Sequence, residues 1–224
     1  MSRIILDIET SGADFDSLEP AIQSYLLRWV EAPEDVQKVK ESLSFYPVTA
    51  EIIALGMLNP DSNKGRVYFQ SPAQKITSFE EDGIVYESAS ENEIIADFWN
   101  IIKSYDKIVT FNGRSFDCPF IMIRSAVNRI KPSKDLLPNR YSDIHIDLFD
   151  QLSFYGASKR KFSLDIWCRT LGIKSPKSDG ITGYDVKGLF MSEKYMDIAR
   201  YCAGDLRATR ELLFVWENFI RFYP

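Results

Sequence analysis

The pattern of apolar and polar positions is clearest at the start of the chain. Ile4, Ile5, Leu6 and Ile8 form an apolar run broken only by Asp7 and ended by Glu9-Thr10, which reads as a strand. Residues 14–47 then follow a helical pattern. Pro20 suits a first turn, and Ile22, Tyr25, Leu26 and Trp29 fall at helical spacing. Pro33 begins a second, more charged helix towards Leu43. This stretch reads as a helical insertion after strand one, packing against the core edge. Residues 51–58 and 65–69 are strand-like and joined by the turn Asn59-Pro60-Asp61-Ser62-Asn63-Lys64-Gly65, a hairpin. Ser90 and Glu93 form a capping box ahead of Ile94, Ile95, Phe98, Trp99, Ile101 and Ile102, an amphipathic helix. Residues 107–111 (KIVTF) are a short buried strand.

Beyond that strand, Gly113 permits a tight backbone and Pro119 opens a helix running to Ile130. A surface connection covers residues 131–142. His145-Ile146-Asp147-Leu148 suits either a strand or a helix start, and Ser163 caps a helix ending at Gly172. Residues 173–185, with Lys174 and Lys177, read as a mobile loop, and Ser192 opens a last helical region continuing to about Phe222. Strand, hairpin, helix, strand is the order of an α/β fold: a central mixed β-sheet flanked by helices.

The acids change the picture. Side chains alternate faces along a strand, so Asp7 and Glu9 point the same way with neighbouring carboxylates. Such a pair in an apolar strand repels itself unless something positive lies between, and a divalent cation with oxygen ligands serves. Taken alone the pair is weak evidence, because the chain has 32 acidic residues. Asp117 falls at a helix N-terminus, where capping is the simplest use of an aspartate. It also falls where sites gather in open α/β sheets, at the C-terminal ends of neighbouring strands, as Asp7 and Glu9 do. Tyr201 and Asp205 are four apart and share a helix face. Their bland alternative is a packed Tyr with an Asp paired to Arg207 or Arg210.

Composition narrows the chemistry. The chain has 224 residues, 45% hydrophobic and 26% charged, enough for one well-filled domain over residues 1–224. No apolar run is long enough to span a bilayer, and the first strand begins by Ile4, so a cytoplasmic protein without a membrane partner is expected. Three cysteines without metal-type spacing read as reduced core thiols. One histidine, His145, leaves no histidine-rich metal site, makes triad hydrolysis improbable and reads as structural. A net charge of −5 argues against a broad basic grip on duplex nucleic acid, yet permits a local hold on a few nucleotides of one strand. Lys159-Arg160-Lys161 is the densest basic cluster, more often a solvated face than a phosphate site.

Asp7-x-Glu9, then Asn112-Gly-x-x-Phe116-Asp117, then Tyr201-x-x-x-Asp205 resembles the three motifs of the DEDDy 3′–5′ exonucleases. Within them the chain is most similar to the proofreading domain of family-B DNA polymerases and its predicted stand-alone relatives. His145-Ile-Asp147-Leu, Phe162-Ser-Leu-Asp165 and Leu171-Gly-Ile-Lys174 resemble connecting segments of the same family. The resemblance implies an RNase H-like fold and two Mg²⁺ or Mn²⁺ ions. Asp7 would bridge both, Glu9 and Asp205 would complete the first, and Asp117 would act on the second through water. Tyr201 would orient the attacking water; the sister group uses a histidine five residues before the last acid, where this chain has Arg200. Thr10, Asn112 and Phe116 would meet the terminal nucleotide, although Phe116 also suits a core anchor for the motif loop. The implied function is 3′–5′ exonuclease action on single-stranded DNA ends, with a replication or repair partner protein for any proofreading role. Two alternatives stay open here: a 3′–5′ exoribonuclease, and a catalytically silent nucleic-acid-binding subunit.

Overall fold

The computed structural model describes residues 1–175 and 180–222; Lys177 lies outside the described residues. In chain order the strands are β1 (Arg3–Gly12), β2 (Ala50–Asn59), β3 (Lys64–Phe69), β4 (Phe79–Glu81), β5 (Ile84–Ser88), β6 (Lys107–Thr110) and β7 (His145–Asp147). They lie side by side as β4-β5-β3-β2-β1-β6-β7. β1 runs antiparallel to β2 on one side and parallel to β6 on the other, so the sheet changes character at β1. The α/β fold with a central mixed sheet is as the pattern predicts.

Alternation along β1 separates two cores. Ile4, Leu6 and Ile8 pack with α3 (Glu91–Ile102) and α4 (Asp117–Val127), whereas Ile5 joins a second core with α8 (Tyr195–Phe219). Asp7 and Glu9, two and four positions after Ile5, therefore stand on the α8 face. In the β1–β2 register Asp7 is opposite Gly56. A Cβ at Gly56 would come within 2.6 Å of Leu206 Cδ1 and 2.8 Å of Cys202 Sγ, both on α8. The missing side chain lets the helix lie directly on the sheet where β1 carries its acids.

The region after β1 is helical, as expected: α1 (Pro20–Leu27) and α2 (Pro33–Ser42), followed by a single 3₁₀ turn, Leu43–Phe45. Packing against the core edge falls to that turn and to Phe15, because neither α1 nor α2 buries a residue. Leu43 is buried, the Thr10 hydroxyl donates to the Ser44 carbonyl (2.6 Å), and the Gly12 N–H donates to Ser44 Oγ (3.0 Å). The Ser90–Glu93 capping box forms as the spacing requires.

Several boundaries differ from the sequence reading. β4 and β5 form a hairpin that the apolar pattern did not suggest, closed by Asp82-Gly83 in the left-handed region (φ 50° and 79°). α4 starts at Asp117 and stops at Val127, short of Ile130. Residues 145–148 serve both readings: β7 passes directly into α5 (Leu148–Leu152), capped by Asp147. The helix after Ser163 is α6 (Leu164–Thr170), and Ser163 makes no side-chain cap bond. The last helical region is the single helix α8, from Tyr195 to Phe219. Ser192 does not open it but ends a separate short helix, α7 (Val186–Met191), and Glu193 with a positive φ of 58° lies between the two. Among the described residues no helix is long and apolar enough to cross a membrane. All three cysteines are free and buried.

Candidate active site

A cleft of about 220 Å³ opens beside β1, lined by the four expected metal-site acids Asp7, Glu9, Asp117 and Asp205, by Tyr201, and by Asn112 and Phe116. Three segments far apart in the chain supply these groups. β1 brings Asp7 and Glu9, the loop from β6 to α4 brings Asn112 to Asp117, and one face of α8 brings Tyr201 and Asp205. Asp7, Glu9 and Asp205 each offer a carboxylate oxygen within 4.8 Å of the others. Asp7 Oδ2 is buried with no hydrogen-bond partner. An all-oxygen donor set with one unsatisfied buried oxygen suits a hard divalent cation.

The electrostatics agree. Desolvation pushes the Asp7 carboxyl well above the usual carboxylate range, and Asp205, Glu9 and Asp117 push it further. Glu9 is raised for the same reason, with Asp205 and Asp117 adding repulsion. Desolvation also pushes Asp117 up to about 7, against the pull of backbone N–H donors. The Tyr201 phenol is raised by burial and by the neighbouring carboxylates of Asp205, Glu9 and Asp7. It keeps its proton at neutral pH.

Asp117 is not an N-cap. Phe116 occupies that position, and Asp117 Oδ1 instead accepts from the Ile8 N–H of β1 (3.0 Å), locking α4 to the strand between the other acids. Asn112 has a left-handed backbone (φ 64°), and its N–H and that of Arg114 donate to the two oxygens of Asp147 (2.8 and 2.9 Å). Asp147 thereby holds the loop in shape from β7. His145 is buried between the Leu136 carbonyl and the Thr110 hydroxyl, each 2.9 Å from a ring nitrogen. Leu136 can only accept, which puts the proton on Nδ1; burial lowers the ring to about 4, so it is neutral.

Other predicted residues lie elsewhere. Thr10 is buried and does not line the cleft, since its hydroxyl is committed to Ser44. Arg200 pairs with Glu81 (3.0 Å). Arg207 faces Asp82 (3.9 Å) and Arg210 pairs with Glu211 (2.6 Å). Lys159-Arg160-Lys161 is exposed, with Arg160 over Phe162 and Lys161 over Phe149. The run leads through Phe162 into Ser163, Leu164 and Asp165, which wall the cleft, whereas the sequence marks them as a helix cap and a connecting segment and not as site residues. Asp165 also accepts from Arg169 (2.9 Å) and from Ser175. A carboxylate in the first turn of a helix looks like dipole compensation, which conceals it.

Residues 72–221 match a family model described as a predicted 3′–5′ exonuclease related to the exonuclease domain of PolB. The chain is 26% identical over 177 residues to a DNA polymerase 1 of Sulfurisphaera ohwakuensis, covering 71% of this chain and 20% of that protein. It is 25% identical over 203 residues to the DNA polymerase 1 of Sulfolobus acidocaldarius, covering 78% and 23%. The family B DNA polymerase of Pyrobaculum calidifontis superposes with a TM-score of 0.59 at 16% identity, over 97% of this chain and 24% of the polymerase, a likeness of fold. The chain thus spans about a fifth to a quarter of the length of the polymerases it matches. It belongs to the family of predicted 3′–5′ exonucleases related to the exonuclease domain of PolB.

Proposed function

We propose that the protein is a divalent-metal-dependent 3′–5′ exonuclease that removes 5′-mononucleotides from single-stranded DNA. The observation that carries this reading is the convergence of Asp7, Glu9 and Asp205 to within 4.8 Å, beside a protonated tyrosine. Asp7, Glu9 and Asp205 would hold Mg²⁺ or Mn²⁺, with Asp117 reaching a second ion through water. Such ions, when bound, lower the pKa of water and stabilise charge on the entering and leaving oxygens. With that chemistry supplied, no strong protein base is required. Tyr201, protonated and lining the cleft with Asp205, would orient the water in line with the terminal phosphodiester. Asn112 and Phe116 wall the cleft where the terminal nucleotide would sit. Thr10 acts at one remove, by tethering Ser44 beside β1.

DNA is favoured because the curated relatives are DNA polymerases. A net charge of −5 favours a grip on one strand end over a duplex face. The test is digestion of 5′-labelled single-stranded DNA and RNA. A DNA ladder is expected with Mg²⁺ or Mn²⁺ and none with EDTA. Asp7→Ala should lose about 10²–10³ or more in rate, the scale of removing a charge-stabilising group. A ladder on RNA alone would give an exoribonuclease, and no ladder in any lane a binding module.

A further inference from the structure

We propose that Phe45 and Tyr184 extend the cleft into an aromatic shelf on which the unpaired bases next to the 3′ terminus stack. The proposal rests on the nuclease reading for the polarity of the strand, and on separate residues for the grip. Phe116 walls the cleft, and its ring packs on Phe120 (5.5 Å between centroids), which is 1% exposed in the core. From Phe116 the row continues outward. Phe45 meets it edge-on with centroids 6.5 Å apart, and Tyr184 meets Phe45 at 5.5 Å and 79°. Exposure rises along the row, to 38% at Phe45 and 77% at Tyr184. The outer rings come from two other segments of the chain, the turn before β2 and the residues before α7.

Adjoining large apolar rings in water mark a contact surface more often than scattered ones do. This surface is continuous with the cleft through Phe116. Its occupant follows from that continuity: a strand whose 3′ end lies in the cleft passes over these rings, and a chain of net charge −5 supplies little long-range attraction to hold it otherwise. Aromatic faces hold bases without positive charge and without regard to sequence. A duplex keeps its bases inside the stack, so the shelf selects single strands. The shelf is also preorganised. Phe45 follows Leu43 and Ser44, both buried, and Ser44 is pinned to Thr10 and Gly12, one and three positions beyond Glu9. The helical insertion thereby gains a role, that of carrying one ring to a fixed place beside the acids.

The test is fluorescence anisotropy of 5′-fluorescein dT12 with phosphorothioate linkages, bound in Ca²⁺ to the wild type and to Phe45→Leu/Tyr184→Leu. Leucine keeps apolar bulk against Phe116 but offers no ring face. Binding should weaken about tenfold or more, since stacking contributes about fivefold or more per base and two ring faces are removed. The melting temperature should not move, and Phe45→Trp/Tyr184→Trp should bind within about twofold of the wild type. Binding unchanged in the leucine variant, or no binding by the wild type, overturns the shelf. Loss of binding in the leucine variant with no cutting by the wild type in Mg²⁺ or Mn²⁺ supports the shelf and removes the nuclease reading.

Discussion

Asp7, Glu9 and Asp205 are held together by the fold at a cost that a cation would offset, and the cost has a pH signature. Asp117, pushed up to about 7, and the raised Asp7 and Glu9 all bind protons more tightly folded than unfolded. Their charged forms therefore cost stability: without metal, stability should fall as pH rises from the ordinary carboxylate range near 4 towards 7. Asp7→Asn removes one of the repelling charges. In EDTA at pH 7 it should melt above the wild type, and the difference should close below pH 4. Mn²⁺ should reverse the order, because an ion bound only by the folded state adds about 2.7 kcal/mol at a hundred times its Kd. Equal Mn²⁺ shifts in the two proteins would remove the metal assignment. His145 has the opposite sign. Its ring falls from 6.5 to about 4 on folding, so it contributes stability above pH 6.5 that is lost as pH drops towards 4. That contribution is on the order of 3 kcal/mol. His145→Gln should flatten that limb in a pH series of denaturant melts, with the wild type subtracted to cancel the carboxylates.

At the scale of elements, the tie between β1 and the turn before β2 is a point of high strain sensitivity. A Cβ at Gly12 would come within 2.6 Å of Ser44 N and 2.7 Å of Leu43 C, backbone atoms that cannot swing aside. Gly12→Ala should cost about 1–3 kcal/mol, the range for overpacking, and should weaken dT12 binding by displacing Phe45. Denaturation midpoints and anisotropy check the two effects. Such ties are where the sequence is silent. β1, the Ser90–Glu93 capping box and the shared face of Tyr201 and Asp205 are legible because period and cap chemistry are local. β4 is three residues at the sheet edge, two of them acidic, and carries no period. Its turn was readable, since Asp82-Gly83 ahead of Ile84, Val85 and Tyr86 is a hairpin signal. Asp117 looked like a cap because its partner, the Ile8 N–H, is 109 positions away. Asp165 reaches the cleft through the placement of α6, which spacing does not encode.

For the molecule as a whole, the insertion divides into a part that holds the fold and a part that does not. Gly12 pairs with Ala50 and the Ala13 N–H donates to the Thr49 carbonyl (2.8 Å), so the chain leaves β1 and enters β2 at one place. Between them, Lys40 Nζ and Asp16 Oδ1 are 3.0 Å apart, which brings positions 16 and 40 close together. The chain from 17 to 39 contains α1 and most of α2, and these bury no residue, with Trp29 80% exposed. A short Gly-Ser linker can therefore replace residues 17–39 while Phe15, Leu43, Ser44 and Phe45 stay in place, and closing a shorter loop costs less entropy. The shortened protein should show the same far-ultraviolet dichroism apart from the lost helices, and a melting temperature within a few degrees of the wild type. Its affinity for dT12 should be unchanged, because the stacking ring and its anchors remain. Extending the deletion through Phe45 should lower both. If the first deletion already abolishes binding while the protein stays folded, α1 and α2 touch the strand themselves, and the shelf is wider than two rings.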